Sequence, residues 1–180
     1  DAHALATHPL APERVYKAAG GGVALSEDAG RTWRDEDAGM DRHYTWGLAV
    51  DAADPDLWYI SASPGAGLAH RPGGDAQAVI SRKQGDAPWQ ALGGDGSGLD
   101  RPSRAMPYAL LALRDRPRTL IAGLKNGDLL LTEDAGDTWR TLQTGLPGIL
   151  ALSESAADIQ VEAEGAVRNW VTPQDDGNGI

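Results

Sequence analysis

The chain has no cysteine, so disulfides, thiolate metal ligands and thiol catalysis are excluded by composition. The same absence removes any redox clue to compartment, and cytoplasmic and secreted locations both stay open. Phenylalanine is missing too, leaving six Trp and four Tyr as the aromatic complement. Basic residues are few: 16 Lys and Arg stand against 26 Asp and Glu, for a formal charge of -10. That balance opposes generic binding to nucleic acid or to an anionic membrane surface. No apolar run approaches the roughly 20 residues of a spanning helix, and runs such as Leu129 to Leu131 suit strands instead, so no membrane insertion is expected. Asp1 opens no charged segment followed by an apolar one, so no signal peptide is read in these residues. No window carries an apolar period of 3.6 residues. There is no Gly-Lys dipeptide for a Walker loop, no His-x-x-x-His pair among His3, His8, His43 and His70, and no EF-hand loop. No metal and no cofactor are expected.

What the chain does have is punctuation and repetition. With 23 Gly and 11 Pro in 180 residues, short strands joined by tight turns fit the composition. SEDAGRTWR, from Ser26 to Arg34, returns as TEDAGDTWR, from Thr132 to Arg140. Between them SRKQGDAPWQ keeps Ser81, Gly85 and Trp89 but has lost the aspartate. The residues before each copy share one grammar: an apolar segment, a proline turn (His8-Pro9, Asp54-Pro55, Arg116-Pro117), a β-rich run, glycine and another strand. Each unit therefore predicts four strands, over about residues 1–37, 44–92 and 104–143, with an eroded fourth unit at about 148–173 and a tail at 174–180. Units of roughly 40 to 50 residues with four strands each match propeller blades.

The repeated residues have a physical purpose. Ser26 and Thr132 can bond local backbone, the carboxylates of Asp28 and Asp134 can accept from turn N–H groups, and Gly30 and Gly136 permit positive φ. Trp33, Trp89 and Trp139 then head the fourth strands, where a large ring can pack between sheets. The pattern S/T-x-D-x-G-x-T-W resembles the Asp-box, or BNR, repeat of sialidase-like β-propellers, a group that includes photosystem II assembly-factor, xyloglucanase and sortilin types. The resemblance covers residues 1 to about 155 and implies an all-β fold of four-stranded antiparallel blades, three clear and one degenerate, within a six- to eight-bladed ring. Three blades and a remnant leave open edges. The missing blades are expected from the same longer chain or from a second copy.

For function the motif implies little, because in that group the box lies away from the central site. The family's Phe/Tyr-Arg-Ile-Pro signature is not present, and the run Asp35-Glu36-Asp37 reads as a solvated rim. The glycine clusters at Gly20 to Gly22 and Gly93 to Gly98 read as a hairpin turn and a connection between blades. One constellation points to a ligand. Aligning Leu5, Leu48 and Leu111 gathers His3, Tyr44, Trp46 and Tyr108 at the start of the channel-lining strands, with Arg42, His43 and Arg104 just upstream. Aromatic rings with a few polar groups are what a binding pocket uses, although Trp46 and Tyr108 could equally plug the axis. Two functional readings follow: an interaction scaffold presenting the channel mouth to a protein or glycan, or the C-terminal half of a glycoside hydrolase whose catalytic residues lie mostly elsewhere. A third is scaffold alone.

Overall fold

The computed structural model describes residues 1–155 in full and residues 159–163 and 166–170 as backbone strands. The first antiparallel sheet holds β1 (Ala2–His8), β2 (Ala11–Ala19), β3 (Gly22–Ser26) and β4 (Arg34–Asp35) in that spatial order. The second holds β5 (Tyr44–Val50), β6 (Leu57–Ser63), β7 (Val79–Gln84) and β8 (Gln90–Ala91), with a short helix, α1 (Ala66–Ala69), between β6 and β7. The third holds β9 (Pro107–Ala112), β10 (Leu120–Leu124), β11 (Leu129–Thr132) and β12 (Arg140–Gln143). Among the described residues the fourth has three strands, β13 (Ile149–Glu154), β14 (Ile159–Ala163) and β15 (Ala166–Trp170). Residues 171–173 of the expected fourth unit, and the tail at 174–180, lie outside the described residues.

The first strand of each sheet is the inner one: β1 touches β5, β5 touches β9, and β9 touches β13. The sheets therefore stack face to face around an axis, as β-propeller blades do. Burial follows from that stacking. β6, with a blade on either side, sends Trp58, Ile60 and Ala62 into one core with Tyr16, Val23 and Leu25 of the first blade. Its alternate residues Leu57 and Tyr59 enter a second core with Leu110, Leu120 and Leu130 of the third. Polar ties cross the same seams: Tyr16 donates its hydroxyl to Pro55 O (2.6 Å), and Arg82 donates to Ala135 O (3.0 Å) while pairing with Asp137 (2.9 Å).

The two full box turns are wired alike. Ser26 Oγ donates to Asp28 Oδ1 (2.8 Å) and accepts from the Gly30 N–H (2.8 Å), while Asp28 accepts from the Thr32 N–H (2.8 Å) and hydroxyl (2.7 Å). In the third blade Thr132, Asp134, Gly136 and Thr138 repeat these bonds within 0.1 Å. Ala29 and Gly30, like Ala135 and Gly136, take positive φ. The middle turn differs from expectation. Arg34, Gln90 and Arg140 pair with Leu25, Arg82 and Leu131 respectively, so the residue matching Ser26 and Thr132 is Lys83, and Ser81 lies two places earlier in the strand. Lys83 closes that turn with its ammonium, donating to Ala87 O (2.8 Å) and pairing with Glu36 of the first blade (3.3 Å).

A second repeated device joins the blades. The Trp89 N–H donates to Ala38 O (2.8 Å) and the Trp139 N–H to Ser97 O (2.6 Å), so the connection entering each blade is clasped by that blade's tryptophan. The residue after each accepting carbonyl is a glycine at positive φ, Gly39 (+89) and Gly98 (+79). A Cβ on Gly98 would lie 2.0 Å from Trp139 O, so the close approach requires glycine there. Trp89 and Trp139 are 5% and 6% exposed, whereas Trp33, with no such connection before it among the described residues, is 39% exposed.

The box carboxylates make stability depend on acid. The Thr32 N–H and hydroxyl hold Asp28 down to about 2. Asp134, pushed up by burial, is pulled down to about 2 by the Thr138 hydroxyl and amide. A carboxylate with a lowered folded pKa stabilises fully above its unfolded value of about 3.9 and loses that contribution as pH falls through the folded value. Thermal melting is therefore expected to fall between about pH 4 and about pH 2, and Asp134→Asn is expected to flatten that part of the profile.

Candidate functional site

The antiparallel register decides which turns meet. Ala2 pairs with Ala19, Tyr44 with Ser63, and Pro107 with Leu124, so the starts of the inner strands share one end with the β2–β3 turn, the β6–β7 insertion and the β10–β11 turn. The box turns, between third and fourth strands, lie at the opposite end. At the mouth end every inner strand is irregular. Ala2 and Ala4 oppose Ala19 and Ala18, leaving His3 extra; Thr45 and Leu48 oppose Ala62 and Ile60, leaving one residue over at Trp46-Gly47. Pro107 and Ala109 oppose Leu124 and Gly123, leaving Tyr108; Ile149 and Ala151 oppose Ala163 and Glu162, leaving Leu150. A β-bulge breaks the strict alternation and re-aims a side chain. Four blades use it at one level, and the register sets Tyr108, rather than Ala109, level with His3 and Trp46.

The re-aimed rings meet. His3 stacks on Trp46 with centroids 4.4 Å apart, and Tyr44 lies 5.1 Å from His3. Tyr108 meets Trp46 edge-on at 5.3 Å, and His70 does so at 4.9 Å. Tyr44 Oη lies 2.6 Å from His70 Nε2, and Tyr108 Oη lies 2.7 Å from His70 Nδ1. Trp46, His70, Tyr108, Lys125, Gly148 and Leu150 line a cavity of about 420 Å³ that opens at this end. Thr45, fully buried, ties blade two to blade one: its one hydroxyl hydrogen is shared between the Ala19 and Gly22 carbonyls (2.8 and 2.9 Å), and its oxygen accepts from the Ala19 N–H (2.8 Å).

Electrostatics single out one ring. Partial desolvation by the neighbouring rings lowers the His70 pKa although the residue is exposed, and the Lys125 ammonium and then His3 lower it further. Burial raises the Tyr44 hydroxyl. Arg42, His43 and Arg104 are engaged elsewhere: Arg42 with Gln77 O (2.8 Å) and Asp41, His43 with Asp37 (3.5 Å), and Arg104 along a separate cavity with Leu124, Asn126 and Asp128. His70 and Lys125 were not singled out as site residues from the sequence. His70 sits in the longer insertion that only the second unit carries, and an insertion hung on a regular repeat is the signal that could have found it.

No family model matches the chain, and no curated protein matches it in sequence. Its fold is similar to solved β-propellers. The Swd1 propeller domain of Myceliophteria thermophila aligns at TM-score 0.66 and 13% identity, over 100% of this chain and 54% of that one. YCF48 from Cyanidioschyzon merolae aligns at TM-score 0.63 and 14% identity, over 97% of this chain and 54% of that one, and a structure described as YCF48 bound to D1 peptide at 0.61 and 14%, over 90% and 48%. The Niastella koreensis GH74 enzyme aligns at 0.62 and 14%, over 89% of this chain and 26% of that one. The chain is thus built of β-propeller blades and spans about half or less of each of these relatives. Identity at this level carries the fold alone.

Replacing Thr45 by valine keeps its shape but removes the hydroxyl bonded to the buried Gly22 carbonyl and to the part-buried Ala19 N–H and carbonyl. Urea unfolding is expected to show a loss of about 1 to 3 kcal/mol with the slope unchanged.

Proposed function

We propose that the chain is a binding scaffold whose ligand, a protein segment or a glycan, docks at the aromatic mouth. The observation that supports this most is the bulge repeated at one level in all four inner strands, which brings His3, Trp46, Tyr108 and Leu150 to the mouth instead of leaving them in strand alternation. A partly exposed tryptophan, Trp46, and the buried Tyr108 behind it line the concavity, and tryptophan and tyrosine are the groups that dominate binding energy at recognition sites. The structure of YCF48 bound to D1 peptide is a precedent within the fold for a propeller that holds a peptide. The likeness to a GH74 enzyme supports the alternative of a glycoside hydrolase half. The described lining of the cavity holds no carboxylate, and Asp1, 4.0 Å from His3, stands beside the mouth, so at least one of the acid and base of such a reaction would have to come from other blades. The box-bearing turns are read as Asp-boxes, and the exposed face around Trp33 as the seat of a further blade, from the same longer chain or from a second copy.

The experiment is a screen of peptide and glycan arrays with the intact chain, followed by titration of each hit. Trp46→Ala with Tyr108→Ala is expected to weaken a hit at least tenfold, the equivalent of about 1.4 kcal/mol. Arg140→Ala, at the box end, is expected to leave it unchanged. A folded double variant that binds every hit as the native chain does would rule the mouth out.

A further inference from the structure

We propose that His70 is a pH-sensitive latch, holding the β6–β7 insertion against the aromatic mouth while neutral and releasing it when protonated. The insertion leaves β6 after Ser63 and returns at Val79. Its returning arm is tied by backbone bonds, from the Ala76 N–H to Arg104 O (2.8 Å) and from the Ala78 N–H to Ser103 O (2.9 Å). Its tip, from α1 to Arg71, is held against the mouth by side chains. Tyr108 donates to Ala69 O (3.0 Å), Lys125 donates to Ala69 O (3.4 Å) and Arg71 O (3.1 Å), and His70 bridges two tyrosines.

The bridge has a direction. A tyrosine hydroxyl has one hydrogen, and Tyr108 gives its own to Ala69 O, so its oxygen accepts from His70 Nδ1–H. That places the ring in the Nδ1–H tautomer, with Nε2 free to accept the Tyr44 O–H. Every donor then has an acceptor. A second proton turns Nε2 into a donor, so Tyr44 must rotate its hydrogen away and accept in its place. The groups facing the charged ring are Tyr44 and Trp46 from β5, Tyr108 from β9, the Lys125 ammonium from the β10–β11 turn and, across Trp46, His3 from β1. Among the described residues the carboxylate paired with this set is Asp1, 4.0 Å from His3 Nε2. The ring is exposed, so solvent shares a new positive charge; no protein group in this set compensates it, and Lys125 opposes it.

The direction of the pH effect follows. The folded pKa of His70 lies below its ordinary value, so the neutral latch is at full strength above about pH 6.5 and weakens as pH falls from there through the lowered folded value. Because the tip packs on Trp46 and Tyr108, release bares more of both rings. Access of a ligand to the mouth then rises in acid, a consequence that rests on the binding reading above.

The latch itself is tested without any ligand. In the intact chain, nitrogen-detected histidine NMR is expected to show His70 as the Nδ1–H tautomer near pH 8. On going to about pH 5, amide exchange over residues 66–71, corrected for its intrinsic pH dependence, is expected to speed up severalfold while residues 109–112 stay unchanged. Tyr44→Phe removes the donor to Nε2 and is expected to move the midpoint upward. His70→Phe keeps a ring on Tyr108 and leaves His3, His8 and His43 in place, and it is expected to exchange fast at both pH values. An Nε2–H tautomer, or equal protection of residues 66–71 at both pH values in the native chain, overturns the latch. A mouth that binds no peptide or glycan leaves these readings untouched, so the two proposals fail separately.

Discussion

The structure hangs on a backbone hydrogen bond that recurs between blades: a tryptophan N–H held by the carbonyl of the connection that enters its blade, Trp89 to Ala38 and Trp139 to Ser97. The bond fixes the path of the connection, and the left-handed glycine behind it lets that path lie directly on the next blade's backbone. With the connections into the second and third blades pinned, those sheets are pressed together closely enough to share cores, and the inner strands run side by side. A Cβ on Gly123 would come within 2.4 Å of Ile149, a measure of how tightly the third and fourth blades approach.

The antiparallel register then divides the labour between the two ends. At one end the box turns store order: hydroxyls, carboxylates and glycine amides satisfy one another locally, and their charge stays on at neutral pH. At the other, four bulges take one residue per inner strand out of the alternation that would pack it, and three of those residues are aromatic or imidazole rings. Order at the first end lets the second carry partly exposed rings, a one-sided lysine and an insertion attached by a histidine. The mouth is the end where the local bonding is least self-sufficient.

Much of this was legible in the residues. The repeated S/T-x-D-x-G-x-T-W turns and the proline and glycine spacing carried the four-stranded units, because each of those residue types answers a local backbone demand. His3, Tyr44, Trp46 and Tyr108 were legible as a group because they stand at the starts of the inner strands. The exact level of Tyr108 was not, since a bulge changes pairing by one residue without any marker in composition. Lys83 in the role of Ser26 was hidden for the same kind of reason: a shorter turn closed by an ammonium looks, in sequence, like a decayed serine box two residues away. His70 and Lys125 meet the other rings only through long-range register, which a local pattern cannot express.

Amide exchange at the three motif tryptophans tests the central claim most directly. In this chain the Trp89 and Trp139 backbone N–H groups are expected to exchange slowly, close to the rate of global opening, while the Trp33 N–H, which no connection among the described residues clasps, is expected to exchange far faster. If Trp33 is protected as strongly as the other two, either another blade already covers it or the clasp is not what holds the blades together. Fast exchange at Trp89 or Trp139 would contradict the clasp outright.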